Sequence, residues 1–154
     1  MAPMKEINEI VYKIIGSCME VHKALGPGYP VEYYKKALTI EMPAKGLEFE
    51  AEKKLDVSFK DTVLGSINID FMIAKNVILL IRCQEGLSDV EIQQVLRLIS
   101  MTSSSIGVLV NFGLMKIQYK RVLPGQQQRE PRKDIYRSSA YREKGRTREG
   151  NPVI

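Results

Sequence analysis

The sequence contains no tryptophan, one histidine and two cysteines among 154 residues. Each scarcity removes a kind of chemistry. Cys18 and Cys83 are too few and too isolated for a disulfide framework or a zinc site, and read as small buried hydrophobes. His22 has no nearby Cys, Ser or second His with which to build a nucleophilic site, so it reads as a packing or hydrogen-bonded residue of a helix. No run approaches the roughly 18 apolar residues that cross a bilayer. The opening MAPMKEINEI lacks the apolar core of a secretory signal, so the expected location is cytoplasmic. What is present, 44% apolar and 27% charged residues, is the composition of an ordinary soluble domain. The length allows one such domain with a real core.

Charge is unevenly spread. Residues 1–125 hold 15 Lys/Arg against 14 Asp/Glu, whereas residues 126–154 hold 8 against 4. The body is nearly neutral, which argues against a broad nucleic-acid groove across it. The division expected is therefore a domain over 1–125 and a basic tail over 126–154. The tail, QQQREPRKDIYRSSAYREKGRTREGNPVI, has almost no aliphatic residues before its last two. Alone it cannot bury enough surface to offset its ordering entropy, and is expected to be ordered only against a partner. Tyr136 and Tyr141 are interleaved with Arg129, Arg132, Lys133, Arg137, Arg142, Arg146 and Arg148. Arginine binds phosphate in a fork and tyrosine stacks on bases or fills protein pockets, so the pattern suits RNA or an acidic protein surface equally. A plain solvated segment is the alternative.

Along the body, Ile7, Val11, Ile14, Ile15, Cys18, Val21 and Leu25 recur at helical spacing up to the GPG of residues 26–28, which no helix crosses. VEYYKKALTIEMPAKG begins a second helix after Pro30, with Pro43 expected to break or kink its last turn and Gly46 to stop it. LEFEAEKKLDVSF alternates as one long strand or two short ones. VLGSINIDFMIA and VILLIRC pair as a hairpin around KN. Ser88 and Glu91 form a capping box that opens a helix through SDVEIQQVLRLISM. IGVLVNF is a buried strand and KIQYKRVL a more exposed one. This order specifies an α/β domain with a mixed sheet flanked by helices.

EVHKALGPGYPVEYYKKAL resembles the signature of the small bacterial proteins named for a GxxExxxR motif, within the PD-(D/E)XK nuclease-like superfamily. The resemblance continues in order through the strand carrying Asp70, VILLIR, EIQQVLRL and IGVLVNFG, and covers roughly residues 7–123. It implies a metal-dependent nuclease fold. There, an aspartate in one strand and a glutamate in the next hold divalent cations against the scissile phosphate. A lysine two residues beyond the glutamate shares its face, because strand side chains alternate.

Mapped onto this chain, Asp70 matches the aspartate, but the glutamate falls at Leu80 and the lysine at Arg82. In the helical motif the glutamate falls at Val31 and the arginine at Lys35. Gln93 matches a helix glutamine, and Glu20 and His22 match the EVH. Leucine and valine offer a hard cation no oxygen. Glu32 is rotated by about 100° from Val31 on a helix, and Glu85 lies beyond the strand, so neither simply restores a ligand. Arg82 is a poor stand-in for a catalytic lysine and is expected instead to pair with Asp70 across the hairpin.

The expectation is thus a nuclease-fold protein with a degenerate site and no catalytic residues, Asp70, Arg82, Gln93 and Glu20 being remnants, and with neither metal nor other cofactor. It would serve as a binding or structural subunit of a larger assembly of protein or RNA reached by the tail. The alternatives are a metal-dependent nuclease with a migrated carboxylate, and a homo-oligomeric structural protein that swaps its tail.

Overall fold

Val77–Ile81 is apolar at every position, and so are most positions of Ile106–Asn111. Strands of this kind need cover on both faces. In the computed structural model, which describes residues 3–125, they receive it. The elements run α1 (Met4–Leu25), α2 (Val31–Ala44), β1 (Phe49–Phe59), β2 (Thr62–Ile73), β3 (Val77–Arg82), α3 (Asp89–Thr102), β4 (Ile106–Asn111) and β5 (Gln118–Val122). One sheet holds the strands in chain order, β1-β2-β3-β4-β5. Only β3 and β4 run parallel, joined across α3; the other neighbours are antiparallel. The fold is the expected α/β arrangement, a mixed sheet between helices.

Side-chain alternation sends β3 into two cores. Val77, Leu79 and Ile81 meet Ile7, Ile14, Leu38 and Met42 of α1 and α2. Ile78 and Leu80 meet Val95, Leu98 and Ile99 of α3. The helix α3 approaches closely because Gly107 of β4 has no side chain. A Cβ there would lie 2.3 Å from Val95 Cγ1.

Local sequence explains the element ends. Gly26, at φ 71°, ends α1 in a conformation glycine adopts without steric cost. The turn after it is clamped by Tyr34 of α2, fully buried, whose hydroxyl donates to the Gly26 carbonyl and accepts from Tyr29 N–H. The Tyr34 ring stacks on Phe112 at 4.6 Å. His22 points its Nε2 at the Leu114 carbonyl, 2.9 Å away, and packs on Phe112. The EVH, GPG and Tyr of the resemblance therefore do structural work in part.

Two readings are refined by the structure. Of the break or kink expected at Pro43 the break does not occur: the proline lies inside the last turn of α2, and the chain leaves at Lys45 and Gly46 as expected. Cys83 is half-buried and packs at the edge of the core that Cys18 is fully buried in. Burial pushes both thiols up, and at Cys83 the charge of Glu32 adds to this.

Candidate functional site

Asp70 sits where three strands stop behaving as a sheet. The β1–β2 ladder runs regularly through Ala51↔Phe71 and Lys53↔Ile69 but omits the pair between them. Glu52, which would face Asp70, takes a left-handed backbone at φ 54°. Such a φ is uncommon outside glycine and marks a local distortion. On the other side, β2 and β3 pair only as far as Phe71↔Leu79. At the fork the Asp70 side chain replaces a backbone carbonyl: its Oδ2 accepts Ile81 N–H at 2.7 Å.

Asp70 is 4% exposed, and its carboxylate is surrounded by donors. Lys35 Nζ, from α2, lies 2.8 Å from Oδ1. Asn68 Nδ2 donates to the same oxygen at 3.3 Å. Arg82 Nη1 stands 3.6 Å from Oδ2 while donating to the Ile81 carbonyl at 3.0 Å. Arg82 thus faces Asp70 across the hairpin, but the closer cation is Lys35.

Glu52 is the second acid of the cluster. Its Oε1 accepts from Asn68 Nδ2 at 2.6 Å, and its Oε2 is 3.6 Å from Lys35 Nζ. Asn68 and Lys35 therefore each bridge the two carboxylates. Turning the Asn68 amide over would aim its oxygen at both acids. Held as it is, Asn68 Oδ1 is buried without a hydrogen-bond partner. Burial by itself would lower the Lys35 pKa, but hydrogen bonding and attraction to Asp70, then to Glu52, outweigh it and hold the ammonium above the ordinary lysine value.

The remaining remnants are scattered. Leu80 is buried in the α3 core. Val31 packs at the edge of the opposite core. Gln94, next to Gln93, is the glutamine that meets the cluster, its Oε1 lying 3.4 Å from Arg82 Nη2. Glu20 is not beside Asp70. It is exposed and lines a groove of about 750 Å³ with Tyr12, Lys13, Tyr119 and Arg121, between α1 and β5. The tail residues Arg129, Arg132, Lys133, Tyr136, Arg137, Tyr141, Arg142, Arg146 and Arg148 lie outside the described residues.

Sequence reasoning missed Glu52 and Asn68, and placed Lys35 in a motif without its partner. Glu52 is one of several alternating polar positions of β1, with nothing to single it out, and a left-handed φ has no signal in a non-glycine. Asn68 had one weak signal, its position two residues before Asp70 on the same strand parity.

A divalent cation of the kind the resemblance implies does not fit this donor set. Such an ion takes about six oxygen ligands. Both Asp70 oxygens are engaged by N–H donors, two cationic side chains stand against them, and Leu80 supplies no oxygen. Among the described residues no group of three or more His, Cys, Asp or Glu is placed to hold a metal ion.

No curated protein matches the chain. Solved structures align with it, among them these two. One is SSO0001, 16% identical with a TM-score of 0.48, over 75% of this chain and 60% of that one. The other is an alkaline exonuclease, LHK-Exo, from Laribacter hongkongensis, 14% identical with a TM-score of 0.46, over 74% of this chain and 64% of that one. The chain thus spans less than two thirds of either protein's length. Over residues 8–122, which hold the Asp70 cluster and all of both cores but Ile7, the sequence matches the profile of the PD-(D/E)XK nuclease superfamily, and the chain belongs to that superfamily.

Proposed function

We propose that this protein is a nuclease-fold subunit that does not cut nucleic acid, and that it binds within a larger assembly through its basic C-terminal segment. One observation carries the first half: both oxygens of Asp70 are committed to donors, two of them cationic. Fold alone does not confer activity, and a phosphodiester needs the charge stabilisation that a bound metal would supply here. The second half rests on charge. The body carries a near balance while residues 126–154 carry 8 Lys/Arg against 4 Asp/Glu, interleaved with two tyrosines. The composition suits RNA and an acidic protein surface equally, and the test described in the Discussion separates them.

A specific observation favours one competing reading. Glu52 stands beside Asp70, joined to it through Asn68 and Lys35. It is a carboxylate outside the motif positions, as a nuclease with a migrated ligand would require. An assay separates the two. Full-length protein is incubated with single- and double-stranded DNA and RNA, with magnesium or manganese and with chelator. No metal-dependent cleavage is expected. Cleavage that disappears in both Asp70→Ala and Glu52→Gln would replace the non-catalytic reading with the nuclease one.

A further inference from the structure

We infer that α1 is a self-association face, through which two copies of this chain pair in an antiparallel α1–α1 contact centred on Gly16. The inference is independent of whether the domain cuts nucleic acid, and it needs nothing of residues 126–154. One stripe of α1 turns away from the core. Steps of four, three, four and three residues, which keep to one line along a helix, run through Glu9, Lys13, Gly16, Glu20 and Lys23. The four charged residues are exposed, and among the described residues none of them is ion-paired. Gly16 lines the groove of about 750 Å³ described above, together with Lys45 and Arg121. Those two cations are already engaged. Arg121 Nη2 donates to Asn8 Oδ1 at 2.8 Å, and Lys45 Nζ lies 3.4 Å from Glu41 Oε2. The unsatisfied charges of the groove and its border are therefore those of the α1 stripe.

The order of those charges says what fits there. Glu9 precedes Gly16 by seven residues and Lys23 follows it by seven; Lys13 precedes it by three and Glu20 follows it by four. The signs are thus reversed from one side of the glycine to the other. With a two-fold axis at Gly16, a second α1 lying antiparallel on the first sets Glu9 beside Lys23 of the second copy and Lys13 beside its Glu20. A parallel pairing would instead set each charge against its own kind, which is unfavourable. A two-fold contact demands a surface that complements itself, and this stripe does so, whereas an unrelated partner imposes no such symmetry. From Glu9 to Lys23 the stripe covers about 21 Å of helix. At its centre the missing side chain of Gly16 lets two backbones approach. Tyr12, 80% exposed, and Met19, 45% exposed, border it there and supply apolar surface for the arriving helix to cover.

The test is sedimentation equilibrium of the full chain over the micromolar range, with circular dichroism to verify the fold of each variant. Ionic strength is kept low, where exposed charges are least screened. The parent is expected to dimerise. Glu9→Lys combined with Glu20→Lys makes every charge of the stripe positive; Lys13→Glu combined with Lys23→Glu makes every one negative. Each double variant should associate at least about tenfold more weakly than the parent, because like charges then face each other across the axis. Mixing the two double variants restores opposite charges and should give a heterodimer. A Cβ at Gly16 meets nothing nearer than Lys45 Cε at 4.0 Å, so Gly16→Arg fits the folded chain while obstructing a second helix. It too should be monomeric, and it decides the question if a charge variant fails to fold. The inference is overturned if the parent stays monomeric, if any folded variant dimerises as the parent does, or if the mixed charge variants form no heterodimer. None of these measurements reads cleavage or the basic segment, so that failure leaves the proposed function standing.

Discussion

Asp70 holds together four residues from three elements: Lys35 of α2, Asn68 of its own strand, and Ile81 and Arg82 of β3. Truncation to alanine would leave Ile81 N–H buried and unpaired and two cations facing each other across the vacancy. Removing one partner of a buried pair costs about 3–5 kcal/mol. Lys35 and Arg82 are partly solvated, so the lower end, about 3 kcal/mol, is expected for Asp70→Ala by denaturant unfolding. Asp70→Asn keeps an acceptor for Ile81 N–H and should lose less. An alanine variant as stable as the parent would show that the cluster contributes nothing to the fold. At this scale the sequence was half legible. The Leu80 and Val31 substitutions stood out because a motif gives them meaning. The Lys35–Asp70 and Glu52–Asp70 relations did not, because they depend on how far β2 and β3 diverge and on one left-handed residue.

The helix α3 illustrates what an element's own sequence specifies. Ser88 Oγ accepts from Val90 N–H, and Glu91 Oε1 accepts from both Ser88 N–H and Ser88 Oγ–H; the capping box read in the sequence forms. Glu91 Oε2 also accepts from Gln84 Nε2 at 2.6 Å. Burial pushes the Glu91 carboxyl up, but the hydrogen bonds from Ser88 and Gln84 prevail and hold it below the ordinary value of 4.5. A lowered folded pKa means the ionised form favours folding. The contribution is present above the ordinary value and is lost as pH falls through the lower, folded one. Ser88→Ala should cost about 1 kcal/mol near neutrality. Glu91→Gln should remove part of the acid-side decline in stability, and an unchanged Tm-versus-pH slope below pH 5 would refute the assignment. Under the same helix, Gly107→Ala would drive a Cβ to 2.3 Å from Val95 Cγ1. Overpacking of this kind costs about 1–3 kcal/mol, and a paired Val95→Ala should recover part of it. The capping box and the apolar spacing of α3 were visible because they are local. The glycine's role was not, since it depends on which strand the helix crosses.

At the scale of the whole molecule, charge and core are separated along the chain. Both cores close within the described residues, with Val122 as the last fully buried contributor, whereas the excess of positive charge lies beyond residue 125. A chain ending at Gly125 is therefore expected to melt within about 1 °C of the full-length protein, since no core side chain is lost. Partner binding should respond differently. If the eight Lys/Arg of residues 126–154 all met phosphates of single-stranded RNA, log K would fall with log[salt] at a slope of about −5 to −6. Partial engagement gives a smaller slope, and the near-neutral body by itself gives almost none. The measurement is RNA affinity at several salt concentrations for the full-length and truncated chains. Loss of affinity together with loss of slope on truncation is the expected result, because each released counterion corresponds to a phosphate contact made by the segment. Equal affinities would remove RNA as the partner of the tail. Recovery of a bound protein that depends on the tail but not on salt would transfer the role to Tyr136, Tyr141 and the aliphatic Val153–Ile154 end, whose burial needs no counterion release. A truncated chain that no longer folds would contradict the separation itself, placing part of the stabilising core in a segment whose composition has little to offer one.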